Sequence, residues 1–342
     1  MFQKIFILNN YFVYLIIKDK GAKMREPKKL KLANIPTPLI NSEFEGCKFK
    51  IKRDDFTGME LSGNKVRKLE YLLYEAKKQK VDYVFTSGGD QSNHSRATCI
   101  AAMQLGIKSK LFLWGKDKKI AEGNLFLDKL TNTEIEFFTK KEYENISLIM
   151  ENEKNKYRKK GKKVFVIPSG GSSTLGIWGY INFMKELSQQ IDIKKLKGIV
   201  VAAGTGGTAA GLLLGAKIFG FTELKIYPVN VIYSENEIKN KISSLVKNCI
   251  RDYKMNINPD IDNLIVLDGY SLEGYKNITK TKVKVLKSYF KQSGILLDPI
   301  YTGKAFVAFY ENFLNGKKKS NVLFLHTGGF FGTFAKRKDF IF

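Results

Sequence analysis

Along the chain, short runs of β-branched and aromatic residues alternate with stretches whose apolar residues recur three and four apart. The short runs predict strands over 81–89, 109–115, 134–139, 163–171, 197–204, 224–233 and 320–329. The stripes between them predict helices over 92–105, 143–160, 174–190, 208–219, 235–254 and 279–293. A further amphipathic stretch, 61–78, starts as a glycine-containing turn and continues as a helix. Alternation of this kind predicts an α/β protein with parallel sheets covered by helices. Four of the predicted strands end in glycine turns, SGGDQSN, PSGGSS, AAGTGGT and HTGG. Ligands in open α/β sheets bind beyond the carboxyl ends of strands, so these turns mark where a site belongs.

The 342 residues suffice for one large or two modest domains, with 44% hydrophobic and 27% charged residues. The net charge of +25 raises the question of nucleic acid. Lysine supplies nearly all of it. Arginine occurs only as Arg25, Arg53, Arg67, Arg96, Arg158, Arg251 and Arg337, and the lysines are scattered over the whole length. Readers of phosphates and bases favour the bidentate guanidinium, so the pattern describes a basic solvated surface and no nucleic-acid partner is expected. Cys47, Cys99 and Cys249 lie far apart, and with only His94 and His326 beside them no metal site is expected. A sparse, odd cysteine set fits a reducing, cytoplasmic compartment. The apolar start, residues 1–23, is interrupted by Lys4, Asn9 and Asn10; it reads as an extension outside the fold, with no membrane expected.

Two stretches carry chemistry. Residues 199–208, IVVAAGTGGT, read as strand, glycine turn and helix start. Gly204, Thr205, Gly206, Gly207 and Thr208 can bring free N–H groups close to a phosphate. The spacing is neither GxGxxG nor GxxxxGK[ST], which disfavours a dinucleotide and a nucleoside triphosphate. A small phosphorylated cofactor remains, alongside the plain alternative of a structural turn. In LSGNKVRKLEYLLYEAKK, Lys65, Arg67 and Lys68 stand in the first helical turn, where the macrodipole is positive. Either something anionic sits there, or Lys65 is an amine kept for chemistry; a Schiff-base lysine beside a phosphate points to pyridoxal 5′-phosphate.

In order along the chain, SGNKVRKLEYLLYEA, SGGDQSNHSRA, VIPSGGSSTLGIWGY, AAGTGGTAAGL, GILLDPIYTGKAF and LFLHTGG resemble the D-cysteine desulfhydrase and 1-aminocyclopropane-1-carboxylate (ACC) deaminase family, over about 30–335. That resemblance implies a pyridoxal-phosphate enzyme of fold type II: two open, twisted, mostly parallel sheets, a smaller domain inserted in a larger one. It places the large domain at 24–67 and 167–342, the small one at 68–166, and implies a homodimer acting on a small amino acid. It makes Lys65 the Schiff-base lysine, Lys68 a phosphate neighbour, and Asn93 the partner of the cofactor's 3′-oxygen. By the same resemblance Gln91, Ser92 and Asn93 take the substrate carboxylate, Gly204 to Thr208 cradle the phosphate, Tyr301 also touches the cofactor, and Ser92, Tyr275 and Tyr301 join Lys65 as catalytic residues. The resemblance also puts Thr302 at the cofactor, where ACC deaminases have a glutamate, and Thr327 at the substrate, where they have a leucine. A hydroxyl at Thr302 facing the ring nitrogen would make a weaker electron sink than a carboxylate. Expulsion of thiolate tolerates that better than opening a cyclopropane, so the resemblance leans to D-cysteine desulfhydrase, giving sulfide, pyruvate and ammonia from D-cysteine. ACC deamination and β-elimination from another amino acid, such as β-chloroalanine, serine or cysteate, stay open as alternatives.

Overall fold

Two sheets organise the computed structural model, which describes residues 26–341. The extension expected over 1–23 lies outside the described residues. In chain order the elements are β1 (Leu39–Phe44), β2 (Cys47–Arg53), α1 (Lys65–Lys78), β3 (Tyr83–Gly89), α2 (Asn93–Gln104), β4 (Lys108–Trp114) and α3 (Gly123–Leu130). There follow β5 (Glu134–Phe138), α4 (Lys140–Tyr143), α5 (Ile146–Lys159), β6 (Val164–Val166), α6 (Trp178–Gln190), β7 (Gly198–Ala203) and α7 (Gly207–Ile218). The chain ends with β8 (Lys225–Asn230), α8 (Glu235–Asp252), α9 (Lys280–Ser293), α10 (Thr302–Phe309), β9 (Lys319–His326) and α11 (Phe330–Ala335).

The larger sheet runs β1-β2-β9-β7-β8, parallel except for the antiparallel β1–β2 hairpin at its edge. The smaller, β5-β4-β3-β6, is parallel throughout. The smaller sheet comes from one unbroken stretch, whereas the larger draws strands from both sides of it.

Alternation along each strand decides what each face meets. Ile199, Val201 and Ala203 of β7 pack under α6, α7 and α8, while Val200 and Ala202 join Phe306 and Phe309 beneath α9 and α10. In the smaller sheet Val84 and Leu111 pack under α1 and α2, while Phe85 and Phe112 meet Ile146 and Met150 of α5. The β1–β2 hairpin is an addition to the predicted strands. Cys47, Phe49 and Ile51 alternate with three lysines there, and Lys52 is buried because Glu186 of α6 meets it at 2.6 Å. The helix predicted over 143–160 is α5, preceded by the single turn of α4, and the strand predicted over 163–171 stops at Val166, before Pro168. No helix of the described residues is long and apolar enough to cross a membrane.

Candidate active site

The carboxyl ends of β3, β7 and β9 open on one cavity of about 1240 Å³, walled by residues of both sheets. Its lining joins the regions singled out above: Lys65 and Lys68, Ser92 and Asn93, residues 204–208, Tyr275, Tyr301 and Thr327.

Lys65 is the first residue of α1, which has no acidic residue in its first turn. Desolvation lowers its amine to a pKa of about 8; the charges of Arg96, lowering, and Asp298, raising, act less strongly. Lys68, one turn on, is buried, and its Nζ donates to the carbonyl oxygen of Gly170 at 3.1 Å. Burial, and then the charge of Lys65, hold its pKa well below the lysine range. Neither amine has an ion-pair partner among the described residues. Asn64 ties this turn to the glycine loop: its Nδ2 donates to Oγ1 of Thr208 at 2.9 Å.

Arg67 lies between these lysines and points the other way. Its Nε and Nη2 meet the two oxygens of Asp54 at 2.8 Å each, and its Nη1 meets Glu186 at 2.7 Å. Tyr180 donates to the same Asp54 at 2.5 Å, and Lys52 completes the cluster on Glu186.

Gly206 holds a left-handed conformation, φ +81°, and has no side chain to cap α7, so the orphan N–H groups of its first turn border the cavity. A Cβ on Gly207 would stand 2.9 Å from Nζ of Lys68. Backbone donors and the amine therefore share one small space, which suits a phosphate. Thr205 closes its rim through a 2.7 Å hydrogen bond with Ser172.

Ser92 caps α2, accepting from the N–H of Ser95 at 3.1 Å. Gln91 is not brought to the cavity wall. Its Nε2 donates to the carbonyl of Glu122 and its Oε1 accepts from the N–H of Asn124, each at 3.0 Å. Of the three residues expected at the substrate carboxylate, only Ser92 and Asn93 line the cavity.

Tyr275 and Tyr301 share a hydrogen bond between their hydroxyls, with ring centroids 5.7 Å apart. Burial pushes both phenols above their ordinary range. Thr302 departs from expectation. Its Oγ1 donates to Oδ1 of Asp298 at 2.6 Å and accepts from the N–H of Asp298 at 2.9 Å, and the residue lies off the cavity wall. The physical reason is that Asp298 caps α10, also taking the N–H groups of Ile300, Tyr301 and Thr302. Thr327 does line the cavity, and its hydroxyl has no hydrogen bond among the described residues.

Residues 30–328 match the family described as pyridoxal-phosphate dependent enzymes. The chain belongs to that family. Pyridoxal phosphate is therefore its cofactor. A Thermotoga maritima protein provisionally named 1-aminocyclopropane-1-carboxylate deaminase is 41% identical over 92% of this chain and all of its own. A mitochondrial Arabidopsis thaliana enzyme, named bifunctional D-cysteine desulfhydrase/1-aminocyclopropane-1-carboxylate deaminase, is 37% identical over 89% of this chain and 79% of its own. The crystal structure of an ACC deaminase homologue superposes with TM-score 0.83 at 32% identity, covering 96% of this chain and 98% of that one.

The residues present fit the group. Two desolvated amines without carboxylate partners and an uncapped glycine helix start border one cavity, a donor set matched to a phosphate and an aldehyde. Sequence reasoning missed several wall residues. His94 donates through Nε2 to Thr86, whose own proton goes to the carbonyl of Ile167; burial keeps this imidazole neutral. Lys276 reaches from the Tyr275 loop to Asp90 at 2.6 Å, its ammonium 3.9 Å from the Trp114 ring centroid. The QSNH and GYK strings held both residues, but nothing local separates them from core or surface neighbours.

Proposed function

We propose that the chain is a D-cysteine desulfhydrase, converting D-cysteine and water to pyruvate, ammonia and hydrogen sulfide. One observation carries the choice: the only carboxylate among the described wall residues is the exposed Glu144, and Thr327 offers a neutral hydroxyl. The bound cofactor supplies a sink for the electron pair released at the substrate's α-carbon. No buried carboxylate stands on the described cavity wall. Nearby Asp298 is taken up by the N–H groups at the start of α10 and by Thr302, so a ring nitrogen there would lack an acid partner and the sink would be modest. It suits departure of thiolate better than opening of a three-membered ring.

Lys65 holds the cofactor and, with its lowered pKa, takes and returns protons at Nζ near neutral pH. Tyr275 and Tyr301, with pKa values pushed up, remain neutral and keep a proton on the shared hydrogen bond. Ser92 and Asn93, at the start of α2, receive the substrate carboxylate, as the positive helix end favours. ACC deamination is the second reading, favoured by the names that two relatives carry. Purified protein assayed with D-cysteine, L-cysteine and ACC decides: sulfide from D-cysteine and no 2-oxobutyrate from ACC is expected, and the reverse discards the reading. The division into a large domain (24–67 and 167–342) and a small one (68–166) belongs to the same proposal, supported by the unbroken origin of the smaller sheet. So does a cytoplasmic homodimer, which sedimentation tests.

A further inference from the structure

Asn124 is fully buried, and its contacts decide which end of Asn93 faces the cavity. The orientations follow from one fixed point, because a guanidinium can only donate. Nε of Arg96 lies 2.9 Å from one amide atom of Asn124, which is therefore the carbonyl oxygen Oδ1. The other atom, Nδ2, lies 3.0 Å from the backbone carbonyl of Gln91, an acceptor only, and this fixes the same orientation independently. Nδ2 also lies 2.9 Å from the Asn93 side chain. Its two hydrogens serve Gln91 and Asn93, so the Asn93 atom that meets it has to accept. That atom is Oδ1. The amide nitrogen of Asn93 is left on the other side, with no hydrogen bond among the described residues, in a side chain that lines the cavity.

Arg96 is itself immobilised. It is fully buried, its Nη2 donates to the carbonyl of Ser62 at 2.9 Å, and its Nη1 meets the carbonyl of Glu60. The same guanidinium thus anchors the turn that leads into Lys65 and the amide that orients Asn93.

We propose that Asn124, held by Arg96, is a positioning residue that locks Asn93 as a hydrogen-bond donor towards an anionic, phenolate-type oxygen on the bound cofactor ring. This rests on the pyridoxal-phosphate assignment of the cavity. A freely rotating Asn93 would have to be ordered by that oxygen on binding; the contact with Asn124 turns its N–H to the cavity in advance.

Asn124→Asp tests it with almost no change of shape. The new carboxylate still accepts from Arg96, but an oxygen replaces Nδ2 and faces Oδ1 of Asn93. Asn93 then turns its N–H inward to that carboxylate and its oxygen to the cavity. The readout is the visible absorption band of the lysine-bound cofactor, titrated against pH, with circular dichroism as the folding control. Loss of a hydrogen bond to a charged oxygen is expected to raise the midpoint by about one pH unit or more. Asn93→Ala is expected to do the same, and adding Asn124→Asp to it is expected to shift the midpoint no further. An unchanged midpoint in Asn124→Asp, or full additivity with Asn93→Ala, overturns the proposal. Should Asn124→Asp not fold, Asn124→Leu is read instead. It keeps the branched shape, adds no charge and removes the amide that fixes Asn93; an upward shift that vanishes in the Asn93→Ala background supports the proposal, and an unchanged midpoint overturns it. A parent protein that shows no such band on adding pyridoxal phosphate overturns the cofactor assignment itself, before any variant is compared.

Discussion

Two sides of one helical turn treat positive charge in opposite ways. On one side of α1, Arg67 is saturated by Asp54 and Glu186, with Lys52, Thr37 and Tyr180 closing the cluster. On the other, Lys65 and Lys68 are desolvated and have no carboxylate. The helix macrodipole opposes all three cations. The paired one serves the fold, fastening α1 to β2 and α6. The unpaired pair is destabilising in the chain alone and becomes favourable when a ligand supplies the anion and the carbonyl.

The comparison breaks most sharply at Lys65. Lys65→Ala is expected to abolish the visible band of the lysine-bound cofactor and to reduce turnover by about a thousandfold or more, the scale set by losing a covalent catalytic group. Retained turnover contradicts the assignment. On the structural side, Arg67→Met leaves Asp54 and Glu186 buried with too little positive charge. Breaking such a buried pair costs about 3–5 kcal/mol. Urea unfolding is the measurement, and a loss within experimental error would place the cluster among dispensable surface pairs.

A smaller effect is expected from pH. Folding lowers the proton affinity of Lys65, so the free amine in the folded chain grows as pH rises and levels off above about 8. Capture of pyridoxal phosphate by the cofactor-free protein is expected to quicken by about tenfold per pH unit below that point, as the neutral amine is the nucleophile. An ordinary surface lysine would go on accelerating past pH 10. Stopped-flow absorbance distinguishes the two.

Much of this was legible in the sequence, and the remainder was not for identifiable reasons. The helix predicted over 208–219 is Gly207–Ile218 and that over 279–293 is Lys280–Ser293, because apolar period and glycine turns act locally. The β1–β2 hairpin is not evident in the sequence, since Lys52, the last of the lysines alternating with Cys47, Phe49 and Ile51, looks solvated until Glu186, 134 residues away, is brought beside it. The first turn of α1 announced itself by charge in the wrong place. Which of its cations was paired required tertiary structure. Thr302 illustrates the same limit: a motif gave its position, but the capping role of Asp298 withdrew its hydroxyl from the cavity. The Asn124 contact with Asn93 joins residues 31 apart, and no local pattern reports it.

Thermal melting of Lys68→Met, with and without pyridoxal phosphate, tests the central contrast most directly. Removing an unpaired, desolvated amine is expected to raise the melting temperature of the cofactor-free protein near neutral pH. Because Lys68 binds protons less readily folded than unfolded, its penalty persists there and fades only as pH approaches the ordinary lysine range. The same change is expected to shrink the stabilisation gained on adding the cofactor, since the phosphate loses its cation. A variant that melts lower without cofactor, and gains as much as the parent on adding it, would show that Lys68 serves the fold as Arg67 does.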